Sequence, residues 1–188
     1  MTTVYIITRD LSYFGTELRA FFEHIVCRIC GIPAEDIRPF KMSEMCGHVE
    51  HELIKTKKAI FLMCWLPFTI NFILSLAFLL GGSYRIIYVG DLKSIQAYIF
   101  LWLGISCAAN CVPSFEDALS FKDCFYNKET NIIIKIILAP FFGVMYAMSF
   151  LERYSVTFIL SVAFAVAFPY MVNNLFPLIT RISEFFIN

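Results

Sequence analysis

Residues 59–80 read AIFLMCWLPFTINFILSLAFLL, an uninterrupted stretch without a single charged side chain. About 20 predominantly apolar residues suffice to cross the hydrocarbon core of a bilayer. No water-filled surface would tolerate such a run, because it leaves no polar face at any helical or strand period. Lys55, Lys57 and Lys58 stand before it, and Gly81, Gly82 and Ser83 follow it. A membrane-spanning helix over 59–80 is therefore the first expectation.

Three more apolar stretches lie downstream, and they predict further spans at about 94–112, 131–151 and 155–180. Lys135 and Pro140 interrupt the third span of the chain, 131–151. Lys135 is near enough to its start for the long side chain to reach the polar boundary. Pro169, Pro177, Asn173 and Asn174 fall in the fourth, whose tail is expected to bend or to line a protein interior. The composition agrees. Hydrophobic residues make up 59 % of the 188 and charged residues only 16 %, whereas soluble domains carry about a quarter charged residues. A small soluble domain has no core large enough to hide that much apolar surface.

The formal net charge is zero, and no basic stripe is interleaved with aromatics, so nucleic acid is not an expected partner. Met1-Thr-Thr-Val-Tyr-Ile-Ile-Thr has no basic start followed by a long apolar run, so a cleavable signal peptide is not expected. The seven cysteines, at 27, 30, 46, 64, 107, 111 and 124, are odd in number and scattered, which does not suggest a disulfide framework.

Residues 1–58 differ from the rest of the chain. They hold all three histidines, eight basic and eight acidic residues. Val4–Thr8 reads as a short β segment. Residues 15–30 read as an amphipathic or membrane-embedded helix, with Phe21, Phe22, Ile25, Val26 and Ile29 at helical spacing and Gly31 and Pro33 as its stop. Residues 36–52 read as a hairpin or extended segment. The expected architecture is an all-α membrane protein of about four transmembrane helices (residues 59–188) preceded by this polar segment. The lysines before the first span place the N-terminus on the cytoplasmic side, and the expected location is a bacterial cytoplasmic membrane.

Three regions hold residues suited to chemistry. In the early helix, Arg19 and Glu23 are four apart and share a face, as an ion pair requires; His24 lies on an adjacent stripe with Glu17 and Arg28. The alternative there is an amphipathic helix with solvated charges. The second region pairs Cys27-x-x-Cys30-Gly31 with Cys46-Gly47-His48-Val49-Glu50-His51. Thiolates and imidazoles are the ligands tetrahedral zinc prefers, which makes Cys27, Cys30, Cys46, His48 and His51 candidate zinc ligands. Two packed thiols and two histidines on a polar strand are the alternative. The third is Asn110-Cys-Val-Pro113-Ser-Phe-Glu116-Asp117, where an apolar helix ends. Ser114 is expected to cap whatever follows, and an intramembrane carboxylate at Asp117 would be functional.

Taken in order, these regions resemble the site-2 protease family of intramembrane zinc metalloproteases over roughly residues 12–120. That family carries a helix with His-Glu-x-x-His and a glycine beyond it, a strand region, a transmembrane helix, and a further helix with Asn-x-x-Pro leading to an Asp that completes the zinc site. Here the helix ends at Gly31, Gly47-His48-Val49 lies in the polar strand region, and Asn110-x-x-Pro113-x-x-x-Asp117 follows the first span. The resemblance implies that Asp117 stands where the third ligand would. The chain departs from the motif itself. Aligned by distance to Gly31, its positions hold Arg19-Ala-Phe-Phe-Glu23; one register over, they hold Glu23-His24-x-x-Cys27. Arginine cannot ligate zinc, and Ala20 cannot act as a base.

The leading expectation is therefore a non-peptidase membrane protein on a site-2-protease-like scaffold, with no cofactor, the bilayer as its surroundings, and a lipid or another membrane protein as its partner. The candidate polar site is Arg19, Glu23, His24, His48, His51, Asn110 and Asp117. An atypical membrane metalloenzyme is the alternative. A small transporter or channel subunit, with Asn71, Asn110, Lys135, Asn173 and Asn174 along its path, is the third.

Overall fold

The computed structural model describes residues 3–34, 54, 56–127, 130–152 and 154–187, with side chains as far as residue 177. The described residues form seven α-helices: α1 (Thr3–Leu11), α2 (Tyr13–Cys30), α3 (Lys57–Gly81), α4 (Ile95–Ala109), α5 (Phe115–Phe125), α6 (Ile132–Glu152) and α7 (Val156–Ile187), with a π-helical turn at Tyr84–Tyr88. No strand occurs among them. The hairpin expected at 36–52 lies outside the described residues.

The β segment expected at Val4–Thr8 is instead the body of α1. Val, Ile and Thr favour strands only weakly, and packing overrides that preference. The period was already in the sequence. Val4, Ile7 and Leu11 face outward while Tyr5 and Ser12 are buried, a spacing of three and four. The Thr8 hydroxyl closes on the helix, bonding Val4 O at 3.1 Å and Tyr5 O at 3.0 Å.

α2 matches its expected span to within two residues at the start and ends as expected. Gly31 takes the left-handed conformation at φ 66°, with its N–H bonded to Arg28 O and the Ile32 N–H bonded to Cys27 O. This is the Schellman arrangement, which glycine adopts without the penalty a Cβ brings.

Among the described residues, three helical stretches are long and apolar enough to cross a membrane: Lys57–Tyr88, Ile132–Glu152 and Val156–Pro177. The second expected span, 94–112, is shorter than the others. α4 stops at Ala109 after 15 residues, a rise of about 22 Å. It ends because the side chain of Asn110 turns back onto the helix, its Nδ2 donating to Ser106 O at 2.9 Å.

α3 and α4 form the central pair, joined by the Ser75 hydroxyl donating to Gly104 O at 3.0 Å. α2 lies against both, α5 packs on α3, and α7 packs on α4. The closest approach is at Gly15, where a Cβ would lie 2.1 Å from Ser106 O. Only hydrogen fits, and the Gly15 N–H uses that proximity to bond the Ser106 hydroxyl at 2.8 Å. α6 touches α5 and α7 at the edge of the bundle and buries little beyond Met145, Ser149 and Glu152.

The polarity of this packing is inverted. On α2, Phe21 is 51 % and Ile29 72 % exposed, while Arg19 is 1 % and Glu23 2 % exposed. Large apolar side chains cover the outside of α6 and α7 as well, among them Ile133, Ile137, Ile159 and Val166. Water drives apolar groups inward; hydrocarbon removes that drive and instead demands that polar groups find partners within the protein.

Candidate functional site

The buried face of α2 carries Gly15, Thr16, Arg19, Ala20, Glu23, Val26 and Cys27. Successive steps of three and four bring Thr16, Arg19 and Glu23 into one polar seam directed at α3, α4 and the end of α6. Arg19 Nε donates to Glu23 Oε1 at 2.8 Å, and Arg19 Nη1 donates to Glu152 Oε1 at 3.2 Å. The expected pair thus gains a third member from a helix 133 positions away. The Asp117 carboxylate lies close enough to bear electrostatically on both Arg19 and Glu23. Guanidinium stays protonated in proteins and offers a planar fork of donors, so a single arginine can serve carboxylates on two helices at once.

Asp117 is fixed locally. The Ser114 hydroxyl donates to Asp117 Oδ2 at 2.6 Å and accepts from the Asp117 N–H at 3.1 Å. Ser114 is therefore the N-cap of α5, as its position in the sequence predicted. The Ser149 hydroxyl of α6 donates to Pro113 O at 2.8 Å, which ties this turn to the helix that supplies Glu152.

Asn110 forms the second half of the seam. Its Oδ1 accepts from the Thr16 hydroxyl at 3.0 Å, its Nδ2 donates to Ser12 O at 3.2 Å and to Ser106 O at 2.9 Å, and its own carbonyl accepts from Asn71 Nδ2 at 3.2 Å. One amide thereby joins α2, α3 and α4. Beside it is a polar chamber of about 10 Å³, lined in part by Thr8, Arg9, Ser12, Asn110, Glu152 and Ser155. That is room for about a single water molecule. Arg9 pairs with the Tyr5 hydroxyl, and its Nε and Nη2 are buried without a protein partner.

The remaining candidates separate from this cluster. His24 is one position beyond Glu23 and so points about 100° away around the helix. It is half-buried and accepts from Arg28 Nε at 2.9 Å. Cys27 is buried in an apolar cluster with Val26, Met63, Cys64 and Phe121, against which Cys30 packs. Cys46, His48 and His51 lie outside the described residues. Among the described residues, no three His, Cys, Asp or Glu side chains converge to hold a metal ion. Of the residues proposed for a transport path, Asn71 and Asn110 are buried, but Asn173 and Asn174 are exposed on the outside of α7. The tail of the fourth span therefore does not line an interior at those positions.

Sequence reasoning missed Glu152. It is the only carboxylate between residues 130 and 180, and at the end of an apolar span it reads as a boundary marker. Its isolation was the available signal, since a lone carboxylate next to a spanning segment needs a partner.

A second feature is apolar. α3, the α4–α5 turn, α6 and α7 surround a cavity of about 620 Å³, whose walls include Phe68, Phe72, Pro113, Phe141, Met148 and Phe164. Such a volume lies within the range of ligand sites.

Compared with known proteins, the chain matches no family model, and neither a curated protein nor a solved structure shows significant similarity to it.

Proposed function

We propose that the chain is an integral membrane protein on a site-2-protease-like scaffold, in which the Arg19–Glu23–Glu152 network occupies the place of a metal centre, and that it binds a lipid or a membrane partner and does not cut peptides. The observation that carries this reading is the surroundings of Arg19. Aligned from Gly31, Arg19 stands where the family's first zinc-binding histidine would stand. Asp117, in the position that the resemblance gives to the third ligand, bears electrostatically on it. On this reading a cation fixed to the chain stands in for the metal ion.

The chemistry follows from that replacement. A zinc hydrolase needs an ion to lower the pKa of its bound water and a carboxylate to accept the proton. A guanidinium saturated by two carboxylates supplies neither an open coordination position nor a base. It does supply cohesion, because the same contact ties α2 to the end of α6. Lys55, Lys57 and Lys58 before α3 support a cytoplasmic start for that helix.

The test is purification of the full chain in detergent. The protein is expected to stay in the membrane pellet under alkaline carbonate, to contain no stoichiometric zinc, and to leave a transmembrane peptide substrate intact. Stoichiometric zinc together with cleavage would overturn the reading.

A further inference from the structure

We infer that the cavity between α3, the α4–α5 turn, α6 and α7 is a binding site for one acyl chain of a bilayer phospholipid. This rests on the membrane reading above and specifies its ligand.

The walls exclude most other occupants. They are aromatic and aliphatic, with Phe68 and Phe72 from α3, Phe141 and Met148 from α6, and Leu160 and Phe164 from α7. Of the two hydroxyls there, Thr157 and Ser161, the second already donates to Phe158 O at 2.7 Å. Water needs two or more polar partners to stay in a cavity, and apolar voids remain dry. The space of about 620 Å³ opens at the bundle edge, where the wall residues Val144 and Leu160 are exposed, so it is filled by whatever surrounds the helices. An apolar occupant meets both constraints.

Shape selects the occupant. Along α6 the lining runs from Pro140 to Met148, and along α7 from Thr157 to Phe164, so the cavity is about 12 Å long. A partner's spanning helix is about 10–12 Å across and 30 Å long, far larger than this space. A flexible chain of methylenes fits within it and matches the chemistry of its walls. Access is through the bilayer, because α6 and α7 both qualify as membrane-crossing helices and α6 stands at the bundle edge with Val144 65 % exposed at the cavity wall.

The experiment places the full chain in phosphatidylcholine nanodiscs containing a phospholipid with a photoreactive group on one acyl chain, irradiates, and maps adducts by peptide mass spectrometry. Adducts are expected to concentrate at Met148, Leu160 and Phe164 over the outward Ile133 and Ile137. Ala108→Phe on α4 and, separately, Ser161→Leu on α7 narrow the space from two of its lining helices. Either should lower the cavity adducts about twofold, since the larger side chain takes part of the space the chain would fill, and leave Ile133 and Ile137 labelled as before.

Uniform labelling of cavity and outer residues in the unaltered chain overturns the inference whether or not either variant folds. So does labelling that filling leaves unchanged, or a co-purified polypeptide that shields the cavity. A chain that stays in the membrane without zinc yet shows such labelling defeats this inference alone; release by carbonate defeats the membrane reading beneath it.

Discussion

The two sides of the bundle are held together by different means. On the α2 side, Thr16, Asn110 and Asn71 join α2, α3 and α4 through directed polar contacts, Arg19 with Glu23 reaches Glu152 at the end of α6, and Gly15 lets two backbones meet. On the α6–α7 side, aromatic walls stand apart around an open volume. Apolar contact gains little inside a bilayer, because lipid tails are as apolar as leucine. Helices there associate tightly where small residues and hydrogen bonds permit, and loosely where only apolar side chains face one another. The difference thus places directed polar bonds on one side and the proposed acyl-chain site on the other.

Removing the charge at the centre of the polar side should have the largest effect. Arg19→Met leaves Glu23 and Glu152 buried without their cation, and breaking a buried pair from one side costs about 3–5 kcal/mol. Thermal unfolding in detergent should show a large fall in midpoint. Gly15→Leu should rank next. Its Cβ would enter the space of Ser106 O, and such overpacking costs about 1–3 kcal/mol, measurable in the same assay. Asn110→Leu should cost about 1–2 kcal/mol, in the range for interhelical polar contacts in membranes, and proteolysis should show α2 loosening first. Val144→Ala, on the apolar side, should change stability by less than about 0.5 kcal/mol. If Val144→Ala matched Arg19→Met in effect, the contrast between the two sides would not hold.

What the sequence disclosed follows the same division. The apolar run at 59–80, the stop at Gly31 and the cap at Ser114 depend on residue type and near neighbours, and they appear in α3, α2 and α5 nearly where expected. The ion pair of Arg19 with Glu23 was legible because both residues lie on one helix. Glu152 was not, because its meeting with Arg19 is set by how α6 returns to the bundle. α1 was misread because Val4, Ile7 and Thr8 carry strand-favouring side chains in a helical period. The cavity had no local signal, since its volume is decided by the separation of helices, and the residues that line it look like any other lipid-facing surface.

The most direct measurement is a double-mutant cycle on Arg19 and Glu152 in bilayer nanodiscs, with Arg19→Met, Glu152→Leu and the double variant compared by unfolding. A buried, mutually dependent pair predicts a coupling of about 1–3 kcal/mol, with the double variant more stable than the sum of the single losses implies. Additive losses, with no coupling between the two positions, would contradict it.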